Sequence, residues 1–222
     1  MTEASPEQER LVQQAARALG RAGLVHAFGH CSLRLDESRF LVCAARPLEL
    51  VGDALGTVCT IAGPLPDGVL GEVRVHQQIY ARRADVAAVC RIMPPVLMAM
   101  STQGIAPLPR HGIGAYFDRL PLWPDPRLLR DDAAAAGLAE MLGDAPAIVM
   151  RGNGAVVVGD TMQKAVTLAW FLEDAARIER GIRAMGFDPA QGLLDASEAA
   201  DRQVWSGRVA ERMWDWLTRD TA

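Results

Sequence analysis

The chain has 222 residues, half of them apolar, and its 23 basic and 27 acidic side chains leave a formal charge of -4. That length and apolar fraction suit one domain, residues 1–222, with its own core. The charges are interspersed with no basic block, which argues against a nucleic-acid partner, and no apolar run reaches the ~18 residues that span a bilayer, which argues against a membrane partner. The polar, acidic opening MTEASPEQERLVQQ lacks the basic-then-apolar order of a secretion signal, so a cytoplasmic protein is expected. Cys31, Cys43, Cys59 and Cys90 show no CxxC spacing, and three of them sit in apolar runs. They read as reduced core thiols, with Cys31 the open case.

In chain order, Ser5 followed by Pro6 predicts a helix start, and Leu11, Ala15 and Leu19 share one face before Gly20 and Gly23. Short β segments are expected at 25–28, 32–35, 39–43 and 57–61, with turn residues between them. The stretch GEVRVHQQIYARR from Gly71 has helical period, and VAAVCRI after Asp85 reads as a buried strand. Pro94-Pro95 stops that strand and opens a helix through VLMAMSTQG. Residues 105–127, rich in proline and glycine, read as an ordered loop with a short strand, a length that often carries function. An alanine-rich helix at 127–142, a strand AIVM, an RGNG turn, a strand AVVVG and a long helix over 161–185 follow. Trp205, Val209, Met213 and Trp216 at helical spacing predict an amphipathic helix in a C-terminal extension, 190–222, docked on the body or on a neighbouring subunit.

Three motifs stand in order: G-H-C-S-L-R at 29–34, E-x-x-x-H-x-x-I-Y at 72–80 followed by D-V-A-A-V at 85–89, and M-R-G-N-G-A-V-V-V-G at 150–159. Over residues 8–185 they resemble the class II aldolase/adducin family. The nearest branch is the decarboxylases acting on hydroxy-carboxy-muconate semialdehyde or pyridine dicarboxylates. The resemblance implies an α/β fold, a three-layer α/β/α sandwich around a mostly antiparallel sheet. It also implies a homo-oligomer, usually a tetramer, with active sites between subunits. The family binds its metal through H-x-H-P and the histidine of R-G-H-G, and those three places here hold Arg91, Met93 and Asn153. Arginine has no lone pair to offer a cation near neutral pH and brings a positive charge of its own. The expectation is no metal and no other cofactor, unless His30, His76 and His111 rebuild a site elsewhere.

Glu72 matches the family's proton-moving glutamate, and it is also a residue favoured in the first turn of a helix. Arg91 reads either as a surrogate for the metal, holding a carboxylate or an oxyanion, or as half of a structural ion pair. Met93 fits the wall of an apolar pocket. Asn153 either orients a substrate through its amide or serves as a turn residue in left-handed φ, the second reading being slightly favoured. Gly29, His30, Ser32 and Arg34 match the family's substrate loop, which in sugar-phosphate aldolases reads G-N-x-S. The second phosphate stretch is replaced by Cys43-Ala44-Ala45-Arg46-Pro47, which points away from phosphosugars and towards a carboxylate that Arg34, Arg46 or Arg91 could pair. Ser32 and Arg34 also read as a water-facing strand-edge pair. His111 is a candidate acid or base in the long loop. His76 reads as a helix-packing residue, His26 as a strand residue, and Arg151 as a substrate or inter-subunit contact.

The chemistry these residues support is that of a metal-independent lyase. It would make or break a C–C bond next to a carbonyl of a small carboxylate or carbonyl substrate, by decarboxylation, aldol-type addition or amine–aldehyde condensation. The competing reading is a binding or scaffold protein that kept the fold after losing catalysis.

Overall fold

The computed structural model describes residues 3–219. Helix α1 (Pro6–Arg21) starts on a closed capping box: the Gln8 N–H donates to Ser5 Oγ at 3.2 Å and the Ser5 N–H to Gln8 Oε1 at 2.8 Å. Strands β1 (His30–Arg34), β2 (Arg39–Val42) and β3 (Thr57–Thr60) follow. A 3₁₀ turn, Gly71–Val73, leads into α2 (Arg74–Arg82), then β4 (Ala88–Ile92) and α3 (Pro95–Thr102). The long loop holds a second 3₁₀ turn, Gly114–Phe117, and the two-residue strand β5 (Leu122–Trp123). The body ends with α4 (Asp132–Leu142), β6 (Ala147–Met150), β7 (Gly154–Gly159) and α5 (Met162–Ala184). The tail forms α6 (Ala196–Arg202) and α7 (Val209–Thr218).

The seven strands make one sheet in the order β3-β2-β1-β4-β7-β6-β5, antiparallel throughout except for the parallel β5–β6 pair. Alternation along β1 assigns the faces. Cys31 Sγ reaches the Val12 carbonyl of α1, whereas its neighbours His30 and Ser32 bond to α2. Helices α1 and α5, joined by α3 and α7, cover one side, and α2 with α4 covers the other. The three-layer sandwich is therefore as expected. Cys31, Cys43, Cys59 and Cys90 are free and buried.

Three local expectations fail. Residues 25–28 are a bend, not a strand: Val25 tucks under Gly29 while His26 and Phe28 face outwards, and β1 begins only at His30. The tail is two helices, because Gly207 and Arg208 both take left-handed φ, 74° and 60°, and Trp205 lies in the break, its ring packed at a tilt against Tyr116. Ser32 and Arg34 are not at an edge. Strand β1 lies between β2 and β4, and Ser32 is fully buried.

Candidate active site

The centre of the sheet places the motif residues. His30 on β1 pairs directly with Arg91 on β4, so both side chains leave the sheet on the α2 side. The next contribution comes from the β6–β7 turn. A Cβ at Gly154, whose φ is 77°, would lie 2.0 Å from the Ile92 carbonyl oxygen, so glycine there allows the turn to close on β4. That approach brings Asn153 Oδ1 to 2.5 Å from the Arg91 guanidinium, which donates to it. Asn153 has ordinary negative φ, and the left-handed positions are Gly152 and Gly154 beside it. Asn153 belongs to the turn, its N–H donating to the Met150 carbonyl at 3.0 Å, but it is not the left-handed residue, and its amide oxygen accepts from Arg91.

From α2, His76 Nε2 lies 2.8 Å from His30 Nδ1, His76 Nδ1 lies 2.6 Å from Ser32 Oγ, and Ser32 Oγ lies 2.8 Å from the Tyr80 hydroxyl. All four side chains are buried. Two polar atoms in this region are buried with no partner, His30 Nε2 and Glu72 Oε1. A cavity of about 20 Å³ beside His30, lined by Cys43, Thr57, Leu70 and Val73, has room for one water and not for an organic acid.

Arg91 dominates the electrostatics. It is 5% exposed, makes hydrogen bonds only to Asn153 and, weakly, to its neighbour's carbonyl at 3.5 Å, and forms no ion pair among the described residues. Burial lowers its pKa, and the nearby Glu72 carboxylate works against that shift. Burial, then the Arg91 charge, holds His76 down at about 3. His30 is driven well below the usual histidine range by burial, by His76 and by Arg91. Both imidazoles are neutral near pH 7.

The structure brings Glu72, Arg91, His30, Ser32 and Asn153 into one region, with half-buried Met93 two residues on from Arg91 and Gly29 packed against the Arg91 carbonyl. It does not bring the other candidates there. Arg34 donates to the Tyr80, Arg83 and Val86 carbonyls at 2.8 Å and lies over the Tyr80 ring, so it clamps the end of α2 and the loop after it to β1. Arg151 is exposed and donates to the Pro124 carbonyl. His111 faces α5, with Nε2 at 3.3 Å from Asp174. His76 and Tyr80 were not among the expected site residues, although Glu72, His76 and Tyr80 recur at four-residue spacing, the signature of one helix face.

The three positions that correspond to the family's metal ligands hold a guanidinium, a thioether and an amide whose oxygen already accepts from that guanidinium. This set does not fit a divalent cation. Nor do other side chains supply a site: among the described residues no three His, Cys, Asp or Glu side chains converge to hold a metal. No helix of the described residues is long and apolar enough to cross a membrane.

Among curated proteins, the chain is similar to a 3,4-dihydroxyphthalate decarboxylase of Terrabacter sp. (strain DBF63), 30% identical over 214 residues, 87% of each chain. An Arthrobacter keyseri protein of the same name is 25% identical over 193 residues, 78% of this chain and 77% of the relative. Among solved structures, an aldolase II superfamily protein from Pseudomonas syringae matches with a TM-score of 0.80 at 22% identity, covering 98% of this chain and 94% of that one. The L-fuculose 1-phosphate aldolase of Glaciozyma antarctica PI12 matches with a TM-score of 0.79 at 19% identity, covering 99% and 93%. Residues 10–180 match the family described as Class II Aldolase and Adducin N-terminal domain, and with decarboxylases among its relatives the chain belongs to that lyase-containing family.

Proposed function

We propose that the protein is a metal-independent lyase that decarboxylates a small carboxylic acid bearing an oxygen function close to the scissile carboxylate. The observation that carries this reading is Arg91, a buried guanidinium without an ion pair among the described residues, which is costly unless an anionic ligand completes it. The decarboxylase relatives favour loss of CO2 over aldol addition or amine–aldehyde condensation. In the proposed step the C–C bond to the carboxylate breaks and CO2 leaves. The bonding pair passes into the adjacent carbonyl or ring, and Arg91 holds the resulting oxyanion in the place of a metal. Glu72, which takes up a proton from solvent before the step, delivers it to the carbon that lost CO2 and is left as the carboxylate. The rest of the substrate, too large for the 20 Å³ cavity beside His30, would lie against Met93 where a neighbouring subunit closes the site.

The test is CO2 release by chelator-treated protein from a panel of hydroxylated aromatic dicarboxylates and β-keto acids, beginning with 3,4-dihydroxyphthalate. Turnover that persists in chelator and is lost in Arg91→Ala and Glu72→Gln is the expected result. Recovery of one metal per chain together with chelator-sensitive turnover overturns the metal-free reading. No turnover, with no thermal shift from any carboxylate, turns the assignment to an inactive binding protein.

A further inference from the structure

The hydrogen bonds behind Arg91 have a direction. Neutral His76 carries one ring hydrogen, on Nδ1 or on Nε2. If it is on Nδ1, it points at Ser32 Oγ. The two hydroxyl hydrogens of Ser32 and Tyr80 then share only one acceptor, because Tyr80 has no hydrogen-bond partner besides Ser32 among the described residues. One buried O–H is left unsatisfied, an arrangement that folded proteins avoid. If the hydrogen is on Nε2, the donors of Tyr80, Ser32 and His76 are all used: Tyr80 donates to Ser32, Ser32 to His76 Nδ1, and His76 Nε2–H to His30 Nδ1. His30, its Nδ1 occupied as an acceptor, must then carry its own hydrogen on Nε2, the buried atom that has no partner.

We infer that His30 is held as the Nε2–H tautomer and serves as a neutral hydrogen-bond donor to the substrate oxyanion beside Arg91, with His76, Ser32 and Tyr80 as its positioning residues. The inference rests on the reading of the Arg91 region as an active site, and it adds a second donor to it. His30 is the cross-strand neighbour of Arg91, so the two donors start from adjacent backbone positions on one face. One is a fixed cation and the other a neutral N–H. This pair fits a ligand that has a carbonyl or phenolic oxygen near a carboxylate, and gives no advantage to a simple monocarboxylate. Burial and the Arg91 charge keep His30 from becoming an imidazolium, so it acts by donating a hydrogen bond and is not a reservoir of charge.

The experiment is long-range proton–nitrogen correlation NMR on protein labelled with 15N-histidine, which distinguishes a hydrogen-bearing ring nitrogen from a bare one. The expected spectrum has both His30 and His76 protonated at Nε2 and bare at Nδ1, unchanged between pH 8 and pH 5.5. In Ser32→Ala, His76 loses the donor that fixes it, and His30 should split between tautomers. A wild-type His30 protonated at Nδ1, or charged at pH 7, overturns the inference without any variant. Salicylate, with its phenol beside a carboxylate, is the ligand probe. Its binding should move the His30 Nε2–H proton downfield, and a bound salicylate that leaves this proton in place also overturns the donor role. Salicylate that fails to bind, or binds equally to Arg91→Ala, instead overturns the active-site reading and the donor role with it, while the tautomer assignment stands on the spectrum alone.

Discussion

At the scale of the residue, Arg91 separates the two readings open to it by the sign of a stability change. A structural ion pair would need an acidic partner in contact, and Arg91 has none among the described residues. Replacing a buried charge with an apolar side chain of similar length removes its desolvation cost; replacement of whole buried ion pairs or triads by apolar residues is often neutral or stabilising by about 1–4 kcal/mol, and a guanidinium with no ion-pair partner has less attraction to give up. Arg91→Met is therefore expected to raise stability by about 1–2 kcal/mol in urea melts, part of the gain being lost because Asn153 Oδ1 is left without its donor. The same variant should lose carboxylate binding, the trade expected where a site is kept at the expense of stability. A destabilised Arg91→Met would assign the residue to the scaffold. The replacement at position 91 was legible in the motif, and so was the spacing of Glu72, His76 and Tyr80. The Arg91–Asn153 contact was not, because it spans 62 residues and depends on how closely the Gly154 turn meets β4.

At the scale of the element, hydrophobic period and caps made most of the fold readable, and the failures share a cause. Val25, His26, Ala27 and Phe28 have the alternation of a strand, but no neighbouring strand pairs with them and the Leu24 carbonyl is instead taken by the Met93 N–H at 2.8 Å. Helix α3, which follows Met93, lacks a capping side chain of its own. The cap comes from α5: the Glu173 carboxylate, 1% exposed, accepts from the Val96 N–H at 3.2 Å and the Leu97 N–H at 3.0 Å. No local signal in the sequence announces a cap 76 residues away. Its loss leaves two buried N–H groups unpaired, so Glu173→Ala should cost about 2–4 kcal/mol, more than the roughly 1 kcal/mol of an exposed cap. Glu173→Gln keeps one acceptor and should recover about half. Equal losses in the two variants, read from denaturant midpoints, would show that filling the volume matters and the capping does not.

At the scale of the whole molecule, the family resemblance, which implies a tetramer, makes a homo-oligomer our proposal. Sedimentation equilibrium of the wild type against Phe28→Ser, a change at an outward-facing aromatic that is 67% exposed, tests it. A species of four chains is expected, and a monomer at every concentration removes the proposal. The buried histidines make a sharper claim about global stability. His30 and His76 face each other, with Ser32 and Tyr80 on one side and Arg91 on the other, and both are neutral when folded. Unfolded, each takes up a proton near pH 6.5, whereas folded His76 does so only near 3. Between those values the unfolded chain binds more protons, so stability rises with pH there. The contribution is complete above about pH 6.5 and is lost as the pH falls towards 3. From pH 7 to pH 5 the loss should be roughly 2 kcal/mol for His76, and His30 adds to it in the same direction. The Arg110-bound and Arg183-bound Glu179, whose pKa is lowered by those contacts, gives up its stabilisation only at lower pH, below the ordinary carboxylate value of 4.5. Urea melts at pH 7, 6 and 5 isolate the histidines, and His76→Gln should flatten the slope. A wild-type slope no steeper than that of the variant would mean that the pair is protonated in the folded protein and that Arg91 is not close enough to prevent it.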